Sequence, residues 1–173
     1  MKTFPQATPP APLKTEHIRP ISLFYAVMLI VMAVGQLFSF EKFIPLIDSF
    51  DLPGGQGMGT LVAGLIVVAE VFALPFLIRM RVSPLMRWLS VFFAGLVPLL
   101  WVLLSIWLNV AMNAIDNVGF VGVKIEAPVG WWAVLYSMAL GVLAAWSIWG
   151  MWPGKATVAN TVVKKSKARA TKS

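Results

Sequence analysis

The chain has 173 residues, of which 59% are hydrophobic and only 12% are charged, with a formal net charge of +7 and a mean hydropathy of +0.82. Soluble domains carry about 25% charged residues, so the long uncharged runs of this chain indicate a polytopic membrane protein. The absence of cysteine excludes disulfide exchange, thiolate metal sites and Cys-ligated iron–sulfur clusters. The single histidine, His17, precedes the first apolar run, which excludes a bis-histidine haem within the bilayer.

The first twenty residues contain five prolines and are predicted to form a disordered cytoplasmic arm. The apolar run 21–40 that follows is too long for the apolar region of a signal peptide, so we interpret it as a span that stays in the membrane. Gln36 lies near its outer end, where an interhelical hydrogen bond is its expected role. Glu41 and Lys42 end the run and mark the membrane interface, unless both face inward.

The second apolar run, 60–78, carries one ionisable residue near its middle, Glu70, and is followed by Arg79 and Arg81. An ionisable residue inside a membrane span is a candidate functional residue. We expect Glu70 to be buried between helices as a neutral acid, close to Pro98 and Gly141. The loop 41–59 before it contains prolines and glycines, and its apolar residues predict a short amphipathic segment on the membrane surface.

The third run, 88–107, is interrupted by Pro98, which leaves the Ala94 carbonyl without its helical donor. Polar residues then recur on one helix face and predict a helix that continues into water: Ser105, Asn109, Asn113 and Asp116. Residues 118–130 alternate weakly and predict a short extended ribbon. The fourth run, 131–149, places small residues at every fourth position, which predicts a groove for close helix packing: Ala133, Ser137, Gly141 and Ala145.

These elements predict an all-α integral membrane protein with four transmembrane helices in a bundle. The membrane domain covers 21–152, between the arm 1–20 and a basic tail, 153–173. Both termini are expected to be cytoplasmic, because lysine and arginine concentrate in the arm, the link 79–87 and the tail, whereas the outer loops hold only Lys42 and Lys124. The expected location is the cell inner (plasma) membrane. This concentration of lysine and arginine in the cytoplasmic segments accounts for the net charge of +7. No nucleic-acid partner is therefore expected.

The first span ends in Phe38-Ser39-Phe40-Glu41-Lys42-Phe43, and the second contains Ala63-Gly64-Leu65 followed by Glu70. These two stretches resemble the DoxX / MauE-like superfamily of small four-helix membrane proteins. The resemblance covers about 35–107. The glycine pair that often follows the family's Glu is replaced by Ala73-Leu74-Pro75, and the Cys pairs of redox-coupled relatives are absent. The resemblance implies an accessory or redox-associated membrane subunit, in some cases next to thiosulfate or quinone chemistry.

Three functions fit these features. The first is a non-enzymatic accessory subunit that docks on a membrane protein partner or on a second copy, with no cofactor. The second is a quinone-interacting subunit of an oxidoreductase in which Glu70 and Trp101 line a cleft. The third is a small proton-coupled carrier that uses Glu70 as its relay, although carriers usually contain inverted repeats and none is evident here. The sequence favours the first.

Overall fold

A computed structural model describes Pro10 and residues 13–55, 57–111 and 115–152. Over these residues the chain is all-helical and has no strand. The helices are α1 (Ile18–Phe38), α2 (Phe40–Asp48), α3 (Met58–Leu77), α4 (Pro84–Ala111) and α5 (Trp131–Gly150). Four of them, α1, α3, α4 and α5, are long and apolar enough to cross a membrane. The predicted all-α membrane architecture is confirmed at this level, while the basic tail and most of the arm lie outside the described residues.

The four long helices enclose a common core. Helix α1 packs against α3 and α5, and α4 packs against the same two helices. Each contributes large side chains that are less than 2% exposed, among them Leu29, Ile66, Trp101 and Leu140. The outward faces are also apolar, because residues such as Phe24, Leu61, Phe92 and Leu135 are more than half exposed. Apolar side chains on both faces are expected where a helix meets protein on one side and lipid on the other.

Prolines within the long helices are accommodated in different ways, as Pro20 and Pro75 illustrate. Pro20 occupies the first turn of α1, where its missing N–H costs no hydrogen bond. Next to Pro75 of α3, the Phe76 N–H donates to Ser90 Oγ at 2.9 Å, and that hydroxyl donates to the Ala73 carbonyl at 3.1 Å. Ser90 of the neighbouring helix α4 thus satisfies two backbone groups next to the proline, as backbone polar groups in lipid require.

The segment predicted to be short and amphipathic forms helix α2, which packs one face against the protein. Phe43 and Ile47 are fully buried, and the helix contacts the start of α3. The close approach is possible because Gly59 has no side chain: a Cβ there would lie 2.6 Å from Asp48 Cα. The predicted amphipathic helix is therefore present, and α3 covers its apolar face.

The stripe of small residues on α5 is only partly a packing face. Ala133 and Ser137 are buried, Gly141 is half-buried and Ala145 is exposed. A spacing of four residues advances by about 400° at 3.6 residues per turn, so the stripe drifts by about 40° at each step. The buried face instead follows Ser137, Leu140, Ala144 and Ser147.

The segment 115–130, which we call the outer loop, folds back onto the bundle without forming the predicted ribbon. Its ends are joined by the Val118 N–H, which donates to the Ala127 carbonyl at 3.0 Å. Asn117 Oδ1 accepts from the Gly119 and Ala127 N–H groups at 2.9 and 3.0 Å. Val118 and Phe120 are buried. The outer loop therefore closes one end of the bundle.

Candidate functional site

Glu70 lies in the centre of the bundle and is fully buried. It is about 18 Å from the Met58 end of α3 and about 10 Å from the Leu77 end, at 1.5 Å per residue. Its Oε1 accepts two hydrogen bonds, from Gln36 Nε2 of α1 and from Trp101 Nε1 of α4, each at 3.2 Å. One carboxylate oxygen thus links three membrane helices.

Gln36 extends this network to the outer loop. Its Nε2 also donates to the Phe120 carbonyl at 3.0 Å. A carbonyl can only accept, so this bond fixes the orientation of the Gln36 amide. Gln36 is about 3 Å from the end of α1, whereas Glu70 is deep within α3. Helix α3 consequently extends past α1 at this end, and α2 and the outer loop pack in the space.

An aromatic layer covers the Glu70 site on the side of the outer loop. The Phe120 ring lies between Trp101 and Tyr136, with ring centroids 4.6 and 4.7 Å apart. The Tyr136 hydroxyl lies 3.7 Å from Met32 Sδ. This layer positions Trp101 so that its indole N–H faces Glu70.

Two buried oxygen atoms of the site lack a hydrogen-bond partner within the described chain: Glu70 Oε2 and Gln36 Oε1. Since Glu70 Oε1 already accepts two hydrogen bonds, a neutral Glu70 would carry its proton on Oε2. The protonation state of Glu70 remains a prediction.

The expected partners of Glu70 differ from those in the structure. The Ala94 carbonyl that Pro98 leaves free accepts a hydrogen bond from the Tyr25 hydroxyl of α1 at 2.8 Å. Gly141 faces Pro98, whose Cβ would be 3.9 Å from an added Gly141 Cβ. Glu70 instead binds Gln36 and Trp101. The sequence placed Gln36 and Trp101 among the candidates, but it gave no signal for Tyr25 or Phe120, because a core tyrosine and a loop phenylalanine are ordinary residues in a bundle.

The other candidate residues lie away from this site. Glu41 and Lys42 are exposed on α2. Asn109 Nδ2 donates to the Ser105 carbonyl one turn earlier at 2.7 Å, a local bond on α4. Ser105 Oγ lies 3.3 Å from Ser137 Oγ of α5, which in turn donates to the Ala133 carbonyl at 2.7 Å. The polar stripe therefore begins with an interhelical contact. Helix α4 ends at Ala111, and Asp116 lies beyond it in the outer loop.

The chemistry of the site is that of a buried acid held by two N–H donors. Within the described residues no group of three or more His, Cys, Asp or Glu side chains is placed to hold a metal ion. An indole and a primary amide neither take up nor release protons near neutral pH. The arrangement joins helices through hydrogen bonds and offers one titratable group.

The fold and this site define a class: a four-span α-helical membrane protein with a buried glutamate that connects three helices. Comparison with family models, with curated proteins and with solved structures finds no match to this chain.

Proposed function

We propose that this chain is a non-catalytic membrane subunit that docks on a partner membrane protein through a groove between α4 and α5. The groove has a volume of about 500 Å³ and lies on the outward surface of the bundle. Its lining is apolar and includes Gly95, Pro98, Gly141, Val142 and Ala145. This groove is the observation that carries the proposal.

The depth of the groove follows from its two glycines. A Cβ added at Gly95 would meet only Ile148 Cδ1, at 3.6 Å, and one added at Gly141 would meet only Pro98 Cβ, at 3.9 Å. Neither glycine is needed for packing within the chain. Small residues on a lipid-facing surface let the backbone of another helix approach closely, which is how membrane helices associate. A transmembrane helix of the partner is the occupant that this shape fits.

The Glu70 site supports a structural role. Its hydrogen bonds connect α1, α3, α4 and the outer loop, so the carboxyl stabilises the bundle that presents the groove. The accessory role that the DoxX / MauE-like resemblance implies agrees with this proposal, as does a location in the plasma membrane with both termini in the cytoplasm.

The test is affinity purification from native membranes with a matched pair of variants. Gly141→Leu fills the groove, whereas Ala139→Leu adds the same side chain at an exposed α5 position outside it. Wild type and Ala139→Leu should retain one stoichiometric membrane partner, and Gly141→Leu should lose it. A photocrosslinker attached at Val142→Cys should join the groove to a transmembrane segment of that partner. Equal recovery with both leucine variants would place the partner elsewhere, and self-crosslinking would identify a second copy as the occupant.

A second candidate function, quinone interaction, is favoured by a groove beside the outer loop. It has a volume of about 470 Å³ and is lined by Phe120, Trp132 and Tyr136. Phe120 also packs on Trp101, so the groove is separated from Glu70 by aromatic rings. A bound quinone should quench the fluorescence of the exposed Trp132, and Tyr136→Phe should weaken that quenching. Quenching that is identical with a ring-free isoprenoid alcohol would exclude this function.

A further inference from the structure

The two lysines expected at the outer surface converge on one cavity. Lys42 belongs to α2 and Lys124 to the outer loop, yet both line a cavity of about 520 Å³ at the end of α1. Ser39, Glu41 and the last two residues of α1 also line it. Neither lysine forms an ion pair within the described chain. Two cations, far apart in sequence, thus face a common space.

Hydrogen bonds hold the two lysine-bearing elements together. The Val123 N–H donates to Ser39 Oγ at 3.2 Å, and this hydroxyl donates to the Gly35 carbonyl at 2.9 Å. The Gly122 backbone also packs on Gly35, because an added Gly122 Cβ would lie 2.7 Å from Gly35 C. The outer loop is therefore fastened to the end of α1 next to Lys124.

An apolar surface continues from the cavity along α1 toward the membrane centre. It comprises Phe38, Leu37, Val34 and Val31, which are 80%, 53%, 45% and 49% exposed. We call this surface the α1 lane. A cationic cavity at one end and an apolar lane at the other match a molecule with an anionic head and apolar chains.

We propose that the cavity binds the phosphodiester headgroup of an anionic glycerophospholipid, with the acyl chains along the α1 lane. Lys42 and Lys124 supply two positive charges and Glu41 one negative charge, so the cavity keeps a net charge of +1. A single phosphodiester neutralises that charge. Lysine stems extend along apolar surface while their ammonium groups stay at the interface, which suits this position. The proposal is independent of partner docking at the α4–α5 groove.

The test measures retention of phosphatidylglycerol against phosphatidylcholine on the purified full-length protein by native mass spectrometry. A lysine near a membrane surface contributes about fivefold in affinity for anionic lipid. The double variant Lys42→Gln/Lys124→Gln should therefore lower the phosphatidylglycerol preference by roughly tenfold or more. The control Lys14→Gln/Arg19→Gln removes two charges at the opposite end of the bundle and should leave the tightest bound lipid in place. Equal losses in the two double variants would show that only overall charge matters and would overturn the site.

Glu41→Gln determines the class of headgroup. It removes the one repulsive charge, so it should strengthen phosphatidylglycerol binding. If it instead weakens binding and the wild type prefers phosphatidylethanolamine, Glu41 is contacting an ammonium group and the anionic assignment is wrong.

Two further experiments test where the acyl chains lie and whether the bound phosphate group belongs to a lipid or is free phosphate. A fluorophore at Val34→Cys should be quenched by spin-labelled phosphatidylglycerol more than one at Leu135→Cys, which is as far from the outer end of α5 as Val34 is from that of α1. Equal quenching at the two positions would contradict the α1 lane. Inorganic phosphate should displace the lipid no better than chloride at equal ionic strength, because only the lipid gains contacts with the lane. Specific displacement by phosphate would indicate a simple anion site instead.

Discussion

At the scale of single residues, the hydrogen bonds of Glu70 explain why an ionisable residue is present in the otherwise apolar helix α3. Its Oε1 is the acceptor for two buried donors, Gln36 Nε2 and Trp101 Nε1. A buried N–H without an acceptor costs about 1–3 kcal/mol. Removing the carboxyl would thus affect three helices even if its charge has no function.

Glu70→Gln and Glu70→Leu separate the acceptor from the acid. Glutamine keeps an oxygen for both donors, so the bundle should remain stable and the partner should stay bound. Leucine leaves the Trp101 N–H and one of the two Gln36 amide N–H groups without an acceptor, while the other still donates to the Phe120 carbonyl. Each unsatisfied N–H should destabilise the bundle by about 1–3 kcal/mol. The measurement is the midpoint of unfolding in mixed micelles, together with partner recovery. A normal midpoint and normal recovery in Glu70→Gln, combined with loss of a quinone- or proton-dependent activity, would favour the titratable role over the structural one.

Gly122 is required by the contact between the outer loop and α1. Its backbone has a φ of +78°, and an added Cβ would lie 2.6 Å from Ser39 Oγ. Gly122→Ala should displace the outer loop, weaken the Gln36–Phe120 bond and lower the unfolding midpoint. Gly64→Ala is the control, since nothing lies within 4 Å of that position and it is helical. Gly64→Ala should raise the free energy of unfolding by no more than about 1 kcal/mol, because alanine has a higher helix propensity than glycine. Equal midpoints would mean that the outer loop does not contribute to stability.

At the scale of elements, the sequence predicted the long helices well and their contacts poorly. Apolar length alone indicated α1, α3, α4 and α5. The pairing of Glu70 with Gln36 could not be predicted, because it requires the Met58 end of α3 to extend further along the bundle than the Phe38 end of α1. The burial of Phe120 depends on a loop whose polar residues resemble those of any surface turn. Contacts of this kind depend on how far each helix extends along the bundle axis relative to its neighbours. Composition and periodicity do not encode this.

Two positions on α5 test the difference between the predicted and the observed packing face. Ser137 is fully buried and bonded, whereas Gly141 borders the open groove. Ser137→Leu should destabilise the isolated chain by about 1–3 kcal/mol through overpacking. Gly141→Leu should leave the stability of the isolated chain nearly unchanged, in contrast to the close helix packing that the sequence predicted at that position. Unfolding midpoints of the purified variants provide the measurement. A large loss with Gly141→Leu would show that the groove is closed within the chain.

At the scale of the whole molecule, the described charges are distributed unequally between the two ends. The end formed by the start of α1, the α3–α4 link (78–83) and the first turn of α4 is rich in cations: Lys14, Arg19, Arg79, Arg81 and Arg87. The other end has two lysines and most of the carboxylates: Lys42, Lys124, Glu41, Asp48, Asp51, Asp116 and Glu126. Contacts of Trp88 with Trp152 and of Lys14 with Trp149 join α4, α5 and the chain before α1 at the cationic end.

Because cytoplasmic ends of membrane proteins are enriched in Lys and Arg, the cationic end should face the cytoplasm. Single-cysteine labelling can test this cleanly, since the chain has no native cysteine. Ser49→Cys lies just after α2, and Met80→Cys lies in the α3–α4 link; neither changes the charge, and Met80 is 50% exposed. A membrane-impermeant maleimide added to intact cells should label Ser49→Cys and spare Met80→Cys until the cells are permeabilised. The reverse pattern would place the Lys42–Lys124 cavity in the cytoplasmic leaflet and invert the orientation proposed above.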